Sequence, residues 1–127
     1  MERNTGMRLG DSVSIPVAAA TTIEVGNMVA INSNGYAVHA SGALVVGGVA
    51  DETVDNSQGN NGDVNVIVRR NLAFLFDNDG SVTTRALFGD VYIVDSKKVS
   101  VTEVTNAVAG KCIGVDGLGA NGVWVEI

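Results

Sequence analysis

Gly26-Asn27-Met28-Val29-Ala30-Ile31-Asn32-Ser33-Asn34-Gly35-Tyr36-Ala37-Val38 lies without a gap on Gly89-Asp90-Val91-Tyr92-Ile93-Val94-Asp95-Ser96-Lys97-Lys98-Val99-Ser100-Val101. Each copy runs on to a Gly-Val pair, Gly48-Val49 and Gly114-Val115. Each then reaches an Asn-Gly turn that feeds an alternating strand: Asn61-Gly62 before Val64, Val66 and Val68, and Asn121-Gly122 before Val123, Val125 and Ile127. The match is one of polar and apolar pattern more than of identity, and it predicts two similar β-units sharing one core, with pseudo-repeats at about 26–68 and 89–127.

Hydrophobic runs on both sides of this stretch are short and bounded by turn residues. The pattern predicts strands at 28–31, 36–38, 44–49, 64–68, 72–76, 91–94, 99–101, 111–115 and 123–127, with tight turns at Asn34-Gly35 and Asp77-Asn78-Asp79-Gly80. The run Leu44 to Val49 suits a strand buried on both faces or bending sharply. Residues 50–61 read as a polar loop, and Val17 to Glu24 is the one plausible helical stretch. The expected fold class is all-β: a compact barrel or sandwich of two similar units, forming a single domain over 26–127. Residues 1–25, interrupted by Gly6, Gly10 and Pro16, read as an N-terminal arm whose Val13-Ser14-Ile15 could add an edge strand.

Composition fits this expectation. Of 127 residues, 46% are hydrophobic and 17% charged, a globular rather than a disordered balance, and the length suffices for a core without metal or disulfide staples. The net charge of −6 argues against a nucleic-acid partner, since a phosphate backbone selects a surplus of Lys and Arg. Arg69-Arg70 and Lys97-Lys98 read as solvated hairpin pairs. With one cysteine, Cys112, no intramolecular disulfide is possible, and the residue reads as a small buried hydrophobe. No run is long enough for a membrane helix, and the first residues lack the apolar core of a signal peptide, so a soluble protein without a membrane partner is expected.

The sequence offers no catalytic constellation, so no enzyme, cofactor or metal site is expected. His39 is the one histidine, and Asp77-Asn78-Asp79-Gly80 lacks the closing Glu of a calcium loop. Gly114-Val115-Asp116-Gly117-Leu118-Gly119 has no helix after it to receive a phosphate. The Asp95-Ser96-Lys97-Lys98 hairpin resembles the lysine hairpin of lipoyl and biotinyl carrier domains, which would be modified on Lys97 or Lys98. Against that, the first unit places Asn34-Gly35 at the matching turn. Aromatic residues raise a further question: Leu72, Phe74 and Phe76 share one strand face, Ala73 and Leu75 the other, so this strand is central or is covered by another subunit. Trp124 shares its face with Glu126, which puts it in a barrel interior, under a loop, or at a subunit contact.

Taken together, Gly10-Asp11-Ser12-Val13, Ala18-Ala19-Ala20, Val25-Gly26-Asn27-Met28-Val29, Val46-Gly47-Gly48-Val49-Ala50, Phe88-Gly89-Asp90-Val91-Tyr92, Ile113-Gly114-Val115 and Val123-Trp124-Val125-Glu126-Ile127 resemble the capsid cement, or head decoration, proteins of tailed bacteriophages. The resemblance runs from about Gly10 to the C-terminus, and departs from the family pattern at Asn27, where an acidic residue is commoner, and in the extended 50–62 loop. It implies a small β-barrel protein made in the host cytoplasm that sits on the outside of an expanded capsid, commonly as a homotrimer, and clamps adjacent capsomers. The implied partners are the major capsid protein and further copies of the chain. Candidate capsid or subunit contacts are Arg3, Met7, Leu9, Val13, Ile15 and Trp124, with the arm of residues 1 to about 16 ordering on the shell or a neighbour. Another virion module, of tail or fibre, is a further reading of the same architecture.

Overall fold

The structure is a computed structural model that describes residues 2–8, 10–103, 105–116 and 122–127. Its strands are β1 (Ser12–Pro16), β2 (Thr21–Ile23), β3 (Met28–Ile31), β4 (Ala37–His39), β5 (Val45–Ala50), β6 (Val54–Asn56), β7 (Asn65–Arg69), β8 (Ala73–Asn78), β9 (Asp90–Asp95), β10 (Lys98–Ser100), β11 (Val108–Val115) and β12 (Gly122–Glu126), with a 3-10 turn at Thr84–Ala86. The all-β expectation holds. Strands β10-β8-β12-β11-β9 form a closed barrel, and β1-β7-β5-β3-β4 form a five-stranded sheet in the same order of connection.

The two sheets are copies of one unit. In each, a hairpin (β3–β4, β9–β10) is joined antiparallel to a bulged strand (β5, β11), which pairs with the last strand (β7, β12) and through it with the first (β1, β8). The pairing registers align Ile15 with Phe76, Val29 with Val91, Ile31 with Ile93, Ala37 with Val99, Ala50 with Cys112, Val66 with Val123 and Val68 with Val125. Every member of the first set belongs to or packs on one buried cluster, and every member of the second belongs to another. Two cores therefore exist where one shared core was expected. Turn hydrogen bonds repeat as well: Gly26 N–H to Ala50 O (2.9 Å) matches Phe88 N–H to Cys112 O (2.7 Å), and Asn27 N–H to Glu24 O matches Gly89 N–H to Ala86 O.

This register corrects the one read from the sequence. Gly26 is equivalent to Phe88, not to Gly89, and Gly48 to Gly110, not to Gly114. A Cβ added at Gly48 would collide with the Arg69 carbonyl oxygen, and one at Gly110 with that of Glu126, so both glycines answer the same close approach of the last strand. The repeats also begin earlier than expected, at β1 and β8. Residues 12–25 accordingly belong to the first unit: Val17 and Ile23 are fully buried, and an exposed segment is left at 2–8.

Closure differs between the units. In the second, Asp77 N–H donates to Lys97 O (2.8 Å) and Asp79 N–H to Val99 O (3.1 Å), zipping β8 to β10 in parallel. The position equivalent to Asp77 is Pro16, which has no N–H to donate. The first seam retains the Ala18 N–H to Ala37 O bond (3.1 Å) beside an isolated Val17–Ala37 bridge. A strap covers this end. Thr21–Ile23, which is strand and not helix, pairs with Val54–Asn56 inside the stretch expected to be loop. Buried Asn56 ties the strap down through Nδ2, donating to the carbonyls of Ala18 (2.9 Å) and Asn60 (3.0 Å).

The first unit, a five-stranded sheet closed by the isolated Val17–Ala37 bridge, is the looser barrel of the two, and the units are packed against each other. Val29 and Ile31 face into the first barrel, so alternation turns Met28 and Ala30 outward. Met28 and Ala30 join Ala40 and Val49 in the second barrel's buried cluster. Strand β5 is thus covered on both faces only over Gly48 to Ala50, while Val45 at its start is exposed.

Candidate functional site

With matched interiors, the barrels differ on their outer walls. On the first, β1 and β7 present Ser12, Ser14, Asn65, Ile67 and Arg69. At the equivalent positions β8 and β12 present Ala73, Leu75, Gly122, Trp124 and Glu126. Leu75 stands directly across from Trp124. Both remain open to solvent, at 48% and 41%. The inward partners Phe74 and Phe76 pack into the barrel core, so Trp124 lies on the outer wall and not in the interior. Two small residues let this pair lie flat: a Cβ at Gly114 would press on the Trp124 ring, and one at Gly122 on the Leu75 side chain. Exposed Ile113 sits in the bulge of β11 beside this pair. A flat apolar patch centred on Trp is the composition that protein contacts favour.

A second feature is local. Phe88 is 77% exposed and has φ +68°, while its equivalent Gly26 has φ +86°. The turn that enters β3 or β9 therefore demands a left-handed residue. Glycine meets that demand without strain, whereas a phenylalanine there costs about 1 kcal/mol or more. The second barrel thus holds an aromatic ring in water at a strained position that its sibling fills with glycine. Beside Phe88, a groove of about 820 Å³ runs past Thr83, Ala86, Gly89, Asp90 and Val101.

The expected contact residues do not converge. Arg3 and Met7 lie exposed in the N-terminal segment. Leu9 lies outside the described residues, as do Gly117 to Asn121 of the expected glycine-rich and Asn-Gly turns. Val13 packs against the first core, and Ile15 is 9% exposed within it, so Ile15 has no surface to offer a partner. Of the five that are described, Trp124 alone lies on the apolar wall. Sequence reading missed Phe88, because nothing in the letter Phe announces a left-handed turn; the shared register with Gly26 is the signal that finds it.

No group of three or more His, Cys, Asp and Glu placed to hold a metal occurs among the described residues. Cys112 is buried in the second core, and His39 Nε2 is buried without a hydrogen-bond partner. Asn78 Oδ1 accepts from Gly80 and Val82, and Asp79 Oδ1 from Ser81, which makes 77–80 a strand end and turn. Burial pushes the Asp79 carboxyl up, but hydrogen bonds from Ser81 and Ser100 and the charge of Lys98 outweigh it and leave the group below its ordinary range. Asp55 on the strap is lowered by hydrogen bonds from the Ser57 hydroxyl and amide and from Thr22. Tyr92 is raised by desolvation and by the nearby charges of Glu103 and Asp90. Among the described residues no helix is long and apolar enough to cross a membrane. Comparison with protein families, curated proteins and solved structures yields no match.

Proposed function

We propose that this chain is a structural virion protein that binds the outside of an expanded tailed-phage capsid and stabilises it by clamping adjacent capsomers. Its partners in this reading are the major capsid protein and further copies of itself, commonly as a homotrimer on the virion surface. The observation that carries the reading is the contrast between the outer walls: duplicated barrels with equivalent cores, of which one pairs Ser14 with Ile67 and the other holds the larger apolar pair Leu75 and Trp124 in water. Exposed apolar surface that the fold does not need is surface kept for a partner. Repetition of modest contacts over a symmetric shell then multiplies their strength. The exposed segment at residues 2–8, with Arg3 and Met7, supplies a second point of attachment.

Co-sedimentation tests this with expanded, undecorated shells assembled from the major capsid protein of the same genome. The chain is expected to pellet in a saturable manner. Trp124→Ser with Leu75→Ser, which removes both exposed apolar side chains from the β8–β12 wall, should weaken binding by roughly 30-fold, the scale of a lost aromatic anchor. Deleting residues 1–8 should weaken it while leaving the barrels folded. Wild-type chain that stays in the supernatant would remove the reading. An intact mass equal to that of the unmodified sequence is also expected; a lipoyl or biotinyl mass increment on Lys97 or Lys98 would point to the carrier reading instead.

A further inference from the structure

The contact between the two barrels is unsymmetrical, and that has a consequence at both ends of the chain. Met28, Ala30, Ala40 and Val49 on the first barrel's outer face are 5% exposed or less. Their equivalents on the second barrel are Asp90, Tyr92, Thr102 and Lys111, of which Tyr92 is half-buried and the other three are exposed. A twofold contact would bury matching positions on both modules. The barrels are therefore joined head to tail. The receiving side is marked by two backbone bonds: Met28 N–H donates to Ser96 O, and Ala107 N–H donates to Gly42 O, both at 2.8 Å.

Each half of this contact has an unfilled counterpart. The first-barrel equivalents of Ser96 and Ala107 are Asn34 and Val45. Val45 lines an apolar hollow of about 500 Å³ together with Ile31, Asn32, Ser33, Ala43 and Leu44, and Asn34 follows Ser33 in the hairpin at its edge. Val45 is 71% exposed. At the other end, the face around Asp90 carries exposed Val108 and, two residues before Asp90, Phe88. Phe88 holds the place that Gly26 holds two residues before Met28, which bonds to the Ser96 hairpin. An aromatic ring at that place on the second barrel is positioned for a hollow beside the Asn34 hairpin of a neighbour.

We propose that a second copy of the chain fills both halves: the β9–β11 face, led by Phe88, docks on the Val45 hollow of the next chain in the same head-to-tail sense that joins β3–β5 to the second barrel. The strain at Phe88 is then offset by burial of its ring between copies. Asp90 and Lys111, ion-paired at 3.7 Å with both side chains largely exposed, form a polar rim. Heterologous contacts either close into a ring or run on as a filament; three copies in a closed ring would set six equivalent barrels around one axis. The inference rests on the self-association in the proposed function and names the surfaces that make it.

The test is the mass of the full chain in solution by light scattering, with circular dichroism as the check on folding. Wild type is expected as three copies or more, since a head-to-tail contact does not stop at two; a monomer or a dimer would overturn the proposal. Phe88→Gly and Val45→Glu each alter an exposed side chain and are expected to give folded monomers. Either variant keeping the wild-type mass would overturn it. Mixed in equal amounts, the two variants should form a dimer, because one keeps an intact hollow and the other an intact Phe88; a mixture that stays monomeric would count against it. Shell binding is read separately. Chains that assemble in this way yet ignore capsids would remove the capsid reading alone, and chains that bind shells as monomers would remove this one alone.

Discussion

The first and second barrels of this chain solve one folding problem twice and then part company at the surface. Inside, Ile15, Val29, Ala37, Ala50, Val66 and Val68 are answered by Phe76, Val91, Val99, Cys112, Val123 and Val125, all buried. Outside, Ser14 and Ile67 are answered by Leu75 and Trp124, and Gly26 by Phe88. Interior positions are held by close packing, where either a void or an overfilled site costs stability. Exterior positions are free of that constraint. The second barrel's exposed aromatic and aliphatic groups oppose solubility, and a partner is the physical reason to keep them.

Substitutions that address matched positions sharpen this comparison. The largest effect is expected in the cores. Ile93 is fully buried, and Ile93→Ala should cost about 3 kcal/mol; Ile31→Ala, at the half-buried equivalent, should cost no more than about half of that, as read by chemical denaturation. Equal losses would mean that Ile31 is packed as fully as Ile93 and would contradict the difference in burial between the two positions. Next come the turns. In an assembly-deficient Val45→Glu background, Phe88→Gly should raise stability by about 1 kcal/mol, and Gly26→Ala should lower it by a similar amount. A loss on Phe88→Gly would show that the ring supports its own barrel and not a contact.

Smaller differences should appear at the seams. Pro16 deprives the first barrel of one closing hydrogen bond, so the Ala18 amide should exchange with solvent faster than its counterpart at Asp79. The reverse order would contradict the closure described for the two units. The smallest effect is one of pH. Asp55 is held below the ordinary carboxylate range by Ser57 and Thr22, so its contribution to the strap is complete above that range and is lost as pH falls through the lowered value. Protection of the Ser57 amide should therefore persist at pH 5 and fall away below about pH 4, near the reference value for Asp. Protection unchanged down to pH 2 would remove Asp55 from the strap's support.

Much of the fold was legible in the sequence because short strands between turn residues leave a strong local pattern. Met28 to Ile31 came out with its observed limits, and other predicted strands lie within a few residues of theirs. The repeat was legible too, but slipped by one residue. Laying Gly26 on Gly89 matches three identical letters, whereas the backbone matches Gly26 to Phe88. A slip of one residue in a strand exchanges inner and outer faces, which is why Val29 was set against Tyr92 in place of Val91. The β2–β6 strap was hidden because Val54-Asp55-Asn56 has one apolar residue, and its pairing depends on the distant Asn56 amide contacts. For the candidate site, Trp124 was found by the alternation of β12. Phe88 and Val45 were not, because exposure and a left-handed turn are properties of the folded chain.

Amide hydrogen exchange, compared between free chain and chain bound to expanded shells, tests the central claim most directly. The account predicts new protection along β8 and β12 around Leu75 and Trp124 and over residues 2–8, with the Phe88 turn and Val45, already covered between copies in the free assembly, and the core strand amides of both barrels unchanged. Identical exchange in the two states, or protection confined to the polar β1–β7 wall of the first barrel, would contradict it.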